Sequence, residues 1–191
     1  MRKTGKLIVL LLAVLLAVAA AGIAGAESAQ SPGTVTISYD LHRIPSIASN
    51  QLAVWIETAD GAFVKTLYVT RFTGKGGYER RPECLPLWRK AAGVESPPSA
   101  DVDAVTQATQ APGRQTLTWD CTDAAGNAVA PGKYIYKLEG TLYWTKEVLW
   151  TGEITVGGAP ASSRADAGYL PPAAQGGEPL VLDVAASFKP R

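Results

Sequence analysis

From Val35 onward, apolar residues recur at every second position in short segments broken by Gly, Pro, Asn and Asp. No other feature constrains the fold as strongly, because a period of two puts one side of each segment in a core and the other in water. Val35, Ile37, Tyr39 and Leu41 alternate with Thr36, Ser38, Asp40 and His42, describing a half-buried strand with His42 on its wet side. Leu52, Val54 and Ile56 form a second strand with Trp55 and Glu57 opposite, and Asp60-Gly61 is a hairpin signal leading into a third over 63–72. These three strands read as a meander. Residues 73–81 read as a Gly- and charge-rich loop. Over 85–92 the alternation stops, and Pro86, Leu87 and Trp88 with a closing Gly93 predict a short helix. Strand patterning resumes at 115–120, where Leu117 and Trp119 share a face. Tyr134, Tyr136 and Leu138 then alternate with Ile135, Lys137 and Glu139, and Val148, Trp150, Ile154 and Val156 line one side of a further strand.

Six or seven strands at about 10-residue spacing, with turn chemistry between them, predict a mainly β chain. The expected fold is an antiparallel immunoglobulin-like β-sandwich with one short helix, spanning 34–157. Residues 158–177 are rich in Gly, Ala and Pro and read as a linker or loop. Within 178–191, Leu180, Leu182 and Val184 suggest a last strand, or a tail that docks on a sheet edge.

The N-terminus follows a different logic. Arg2, Lys3 and Lys6 precede an unbroken apolar run from Leu7 to Ala20, and Ala24-Gly25-Ala26 supplies a small-x-small site before Glu27. These are the three parts of a cleavable export signal over 1–26, followed by a polar leader over 27–33. The run is short for a membrane span of roughly 20 residues. The processed chain is therefore expected to be periplasmic or secreted and not membrane-spanning. Removing 1–26 takes away three cations and no carboxylates, moving the formal net charge from +1 to −2. A weakly acidic chain without Lys/Arg clusters lacks the electrostatic footprint of a nucleic-acid binder.

The chain has two cysteines, Cys84 and Cys121, and one histidine, too few soft ligands for a zinc site unless carboxylates joined them. An even cysteine count in an oxidising compartment points to one disulfide between Cys84 and Cys121, with two free thiols as the alternative. Such a bridge would close a loop of roughly 38 residues and stabilise by about 3–4 kcal/mol.

Two stretches carry a resemblance. Trp119-Asp120-Cys121-Thr122-Asp123-Ala124-Ala125-Gly126, running on to Pro131-Gly132-Lys133-Tyr134, resembles the hairpin of the immunoglobulin-like domain in the flagellar hook-capping protein. Cys121 stands where that pattern has Gly. More widely, Leu52 to Glu57 with Asp60-Gly61, then Leu85 to Trp88, then Asp103 to Thr109, occur in an order similar to that of a family of predicted periplasmic proteins of unknown function. That resemblance implies associates among membrane PepSY-type and flavin-related redox proteins.

Asp103 to Thr109 is also similar to the Asp-x-x-(Ser/Thr)-Gly-Ala-Thr box on which exported flavin carriers receive FMN, linked through phosphate to the final Thr. The resemblance implies Thr109 as the cofactor-binding residue, with Asp103 upstream and Gln107 departing from the pattern's Gly. A structural loop is the alternative. Asp101, Asp103, Asp120 and Asp123 lack EF-hand spacing and read as turn formers. His42 has no evident Ser or Cys partner, and Glu57, Glu139 and Glu153 fall on outward faces as solvated carboxylates. Trp55 and Trp144 are the two left for a surface, sugar-stacking role, with core packing the expected use of both. No catalytic set and no metal site emerges. The favoured reading is a non-enzymatic exported module that binds or supports an envelope or membrane protein partner, including one in a membrane redox system. The alternatives are an electron-transfer accessory carrying FMN on Thr109, and a carbohydrate-binding domain.

Overall fold

Alternation along β1 (Gly33–Leu41) passes directly into burial: Val35, Ile37, Tyr39 and Leu41 lie in the core, while Thr36, Ser38 and Asp40 are partly exposed. The computed structural model describes residues 30–94 and 106–191. Within them β2 (Gln51–Thr58), β3 (Phe63–Thr70), β4 (Thr106–Gln107), β5 (Gly113–Trp119), β6 (Gly132–Tyr143) and β7 (Lys146–Val156) follow in order. β8 (Ala161–Arg164), β9 (Asp166–Leu170) and β10 (Val181–Pro190) complete the strands. One sheet has the order β5-β1-β10-β8 and the other β4-β3-β2-β6-β7-β9, antiparallel throughout except for the short β3–β4 pair. The sheets face each other across one apolar core, the two-layer sandwich expected from the pattern.

The Asp60-Gly61 hairpin joins β2 to β3, with the Thr58 N–H donating to the Ala62 carbonyl at 2.8 Å. The expected three-strand meander does not form, because β1 belongs to the opposite sheet. The 42–50 loop carries the chain across, and the Asn50 side chain fastens it by accepting the Ile44 N–H and donating to the Ile44 carbonyl. The expected linker also departs from its composition. Residues 161–170 form β8 and β9, which pair in different sheets and turn the corner between them at the buried Ala165. β10 lies inside its sheet, between β1 and β8, with Val184, Ala186 and Phe188 in the core. The sandwich thus continues well past residue 157.

Two sheets need contacts that bridge them. Tyr136 reaches from β6 to within 3.1 Å of the Ser163 hydroxyl on β8. Its ring fits because its antiparallel partner is Gly152, where an added Cβ would stand 2.2 Å from Tyr136 Cζ.

The six-stranded sheet has a second covered face. β2 is buried on both sides from Gln51 to Glu57, which accounts for its unbroken apolar run. After β3 the chain makes the single turn α1 (Arg71–Gly74) and a 3-10 turn, then lays α2 (Pro86–Ala92) over that face. Trp88 and Leu85 pack there against Ala53, Trp55 and Val69. The predicted helix is thus observed, with Pro86 in its first turn. It ends at Gly93 (φ 60), where Val94 N–H donates to the Arg89 carbonyl at 3.0 Å in a Schellman arrangement.

Replacing Gly152 by Ala would push the Tyr136 ring off its seat and loosen the contact between sheets. We expect a loss of about 1–3 kcal/mol in urea unfolding, the usual cost of overpacking a close-packed core. An unchanged midpoint would show that Tyr136 can repack without cost.

Candidate functional site

Several chain segments meet at one end of the sandwich: the 42–50 loop, the ends of β3 and β4, the β6–β7 hairpin and the 171–178 segment. Thr109 lies here, two residues past β4. β4 is seated against α1 at Gly74, where a Cβ would come within 2.3 Å of Thr106 Oγ1. Beyond β4 the chain is held before Thr109 through a backbone carbonyl and after it through a side chain. Tyr68 donates its hydroxyl to the Ala108 carbonyl at 3.1 Å, and Tyr39 donates to Gln110 Oε1 at 2.6 Å. Both tyrosines are core residues, so their rings fix the segment while Thr109 stays exposed. Burial raises both phenol pKa values, keeping them as neutral donors. Beside Thr109 is a depression of about 10 Å³ lined by Leu41, Arg43, Asn50 and Tyr68. Gln107 is exposed and pairs with Thr70, whereas Asp103 lies outside the described residues.

The rim of this end is apolar and basic. Ile47 is 84% exposed, Trp144 47%, and Tyr143 and Leu170 46% each. A groove of about 390 Å³ runs between Ile44, Tyr143 and Lys146 on one side and Ala173, Gly176 and Glu178 on the other. Trp144 occupies the hairpin turn with φ 48, its ring edge-on to Tyr143 at 6.0 Å. Arg81 stacks between Trp144 and Phe72, with ring centroids 5.9 and 5.3 Å away. Tyr143, beside Trp144 in the same turn, is a second exposed aromatic, and only its adjacency to Trp144 marks it in the sequence.

Beneath α2 lies a second polar group. Glu139, fully buried on the outer face of β6, accepts the backbone N–H groups of Leu87 at 3.1 Å and Trp88 at 2.7 Å. These are orphan donors of the first helical turn, and a carboxylate there is favoured by the hydrogen bonds and the helix dipole together. Trp88 Nε1 donates to Thr66 Oγ1 at 3.0 Å. Glu57 accepts Trp55 Nε1 and Lys137 Nζ, both at 2.7 Å. Glu57 and Glu139 are thus buried where solvated carboxylates were expected, because α2 covers their face; Glu153 remains exposed and pairs with Lys133 at 2.9 Å. Glu147 is buried on the same outer face, diagonal to Glu139 across the β6–β7 pair. Burial pushes both Glu139 and Glu147 up to about 7, and the proximity of Glu147 adds to the shift at Glu139 against the pull of its two N–H donors.

The remaining expected sites are structural. Cys84 and Cys121 are free thiols and form no disulfide. Cys121 sits in the core between the sheets and Cys84 beside Leu85 on the outer face, so the six-stranded sheet separates them. Burial pushes each thiol up to about 11, so neither is a ready nucleophile. Cys121 holds φ 55 in the Trp-Asp hairpin, the left-handed conformation for which Gly is favoured. Asp120 bonds Lys65 and Thr122, and Asp123 closes its own turn onto the Asn127 N–H at 2.8 Å. Among the described residues no cluster of metal-ligating side chains gathers. His42 is exposed at the end of β1. Trp55 is buried beneath α2, as the core-packing expectation has it, whereas Trp144 departs from that expectation and is exposed.

Fold and site together define a β-sandwich with one helix-covered sheet and a built-up loop end. The family described as "Predicted periplasmic protein (DUF2271)" matches residues 33–169, and the chain belongs to that family. Its periplasmic description agrees with the export signal read at 1–26. No curated protein and no solved structure matches the chain. Among the described residues no helix is long and apolar enough to cross a membrane.

The two outer-face carboxyls carry a pH dependence whose sign follows from their direction. Each binds its proton more tightly in the folded chain than at the ordinary value of 4.5. Their contribution is therefore fully present below about pH 4.5 and is lost as pH rises through about 7. Glu147→Gln, which cannot ionise, should flatten the fall in urea midpoint between pH 5 and pH 7.5 and raise stability at the upper end. Parallel pH profiles for wild type and variant would count against this.

Proposed function

We propose that the protein is a non-enzymatic periplasmic module of a membrane redox system, working through its loop end and carrying FMN on Thr109. The observation that carries this reading is the mounting of Thr109: an exposed hydroxyl between the Ala108 carbonyl, held by the buried Tyr68, and the Gln110 side chain, held by the buried Tyr39. Attachment to a hydroxyl needs an accessible group with a small neighbour so that a transferase can approach, here Ala108. Thr109 Oγ1 would displace AMP from a flavin dinucleotide: a P–O bond to Thr109 forms, the pyrophosphate bond breaks, and the hydroxyl proton is released. The depression beside Thr109 is too small to admit an isoalloxazine ring, so a flavin held there would lie on the surface. Arg43, lining that depression, supplies a cation for the phosphodiester. FMN when bound supplies one- and two-electron transfer.

A surface flavin suits exchange with another protein better than turnover of a substrate, which needs a water-excluded pocket. The partner reading and the flavin reading thus converge on one end of the molecule. The experiment is coexpression with a flavin transferase, followed by intact mass and in-gel flavin fluorescence. Wild type and Thr109→Ser should carry the adduct, and Thr109→Val should not. An adduct-free wild type under conditions that flavinylate a known carrier would overturn the FMN assignment.

A further inference from the structure

We propose that the loop end adsorbs directly to an anionic bilayer surface, with Ile47, Tyr143 and Trp144 entering the interface and the surrounding cations meeting lipid phosphates. The inference deepens the membrane-partner reading and rests on it, because it states how the module is held against the membrane. Its first support is where the exposed apolar groups fall. Ile47 is on the 42–50 loop, Tyr143 and Trp144 on the β6–β7 hairpin, and Leu170 at the end of β9, across the ladder from Glu147. They are brought together by the fold: Ile44 and Ser46 share the groove with Tyr143 and Lys146. These are tips on separate loops rather than the continuous apolar floor of a protein interface, whose anchors fill a desolvated central pocket. Exposed Trp and Tyr at a rim are the side chains that prefer the headgroup level, since an apolar ring carries a polar edge.

The second support is charge. Arg43 lies in the same 42–50 loop as Ile47, Arg71 opens α1 directly after β3, Arg80 lies over Phe72 at 5.8 Å, and Lys146 lines the groove. All four side chains are exposed. Among the described residues Glu79, Glu178 and the buried Glu147 are the opposing carboxylates nearby, and Glu83 is taken by Arg81 at 3.2 Å. Among the described residues cations therefore exceed carboxylates here, although the chain from Glu27 onward is weakly acidic. At the opposite end Lys65 is paired with Asp120 and Lys133 with Glu153. A basic rim around interfacial aromatics matches the chemistry of an anionic leaflet, where each nearby cation adds attraction that falls off within a Debye length.

The test is cosedimentation of the exported chain, from Glu27 onward, with phosphatidylglycerol–phosphatidylcholine vesicles and with phosphatidylcholine vesicles alone. Binding to the mixed vesicles is expected, weakened by salt, with little to the neutral ones. Ile47→Ser combined with Tyr143→Ser and Trp144→Ser should abolish it, and Arg71→Gln with Lys146→Gln should weaken it about tenfold. These side chains are exposed, and an unchanged urea midpoint would verify that the variants fold. Brominated lipid should quench wild-type tryptophan fluorescence much more than that of Trp144→Phe, since Trp55, Trp88 and Trp119 are buried and Trp150 packs against the core. Absence of binding, equal binding to neutral vesicles, or full binding by the variants would each overturn the proposal, as would association that appears only when a membrane protein is present. The vesicles contain neither flavin nor protein, so a negative result leaves the Thr109 reading standing, and an adduct-free chain that still binds leaves this one standing.

Discussion

Every layer of this molecule depends on keeping water from both faces of the six-stranded sheet. One face is closed by the second sheet, the other by α2, and α2 is a short helix that could not persist alone. It is held by the Glu139 carboxylate, which rises from the middle of β6 to accept two N–H groups of its first turn. Trp88 then covers β2 and β3 from above and finds a partner for its indole in Thr66. A carboxylate buried in this way is costly unless its hydrogen bonds are made, so helix and sheet stabilise one another or fail together.

That coupling has a consequence for the loop end. The connection from β3 to α2 passes through α1 and the Phe72–Arg81 region, which touches the β6–β7 hairpin through Arg81 and Trp144. Gly74 of the same connection seats β4 and so sets where the Thr109 segment leaves the sheet. The helix layer is therefore part of the scaffold that presents the rim, while the Tyr39 and Tyr68 hydroxyls supply the final fix from within the core. The opposite end, with the Asp60-Gly61 and Asp123–Asn127 turns, consists of hairpins closed on themselves by local hydrogen bonds.

Much of the strand inventory was legible because alternation is local. β1, β5, β6 and β7 bury the faces their sequences mark, and α2 lies where Pro86 and Gly93 bound it. The misreadings share one physical origin. Glu57 and Glu139 occupy the non-core positions of alternating strands, and alternation alone cannot tell a solvated face from one roofed by a helix elsewhere in the chain. Residues 161–170 are small and polar because both strands lie at sheet edges and turn a corner, which in composition looks like a linker. The disulfide was inferred from a count, whereas pairing needs proximity, and a sheet stands between the two thiols.

Sequence by itself determined the export signal, the β class, the hairpin turns, the capped helix and the identity of Thr109 as a candidate, because each follows from residues adjacent along the chain. The tertiary structure alone decided that β1 leaves the first hairpin for the other sheet, that two glutamates are buried beneath a helix, and that Thr109 is framed by two core tyrosines. It also decided that Ile47, the Tyr143-Trp144 pair and Leu170, far apart in sequence, share one rim with a surplus of cations among the described residues. Those relations depend on which strands pair, and pairing is settled by burying the whole apolar surface at once rather than by any one segment's pattern.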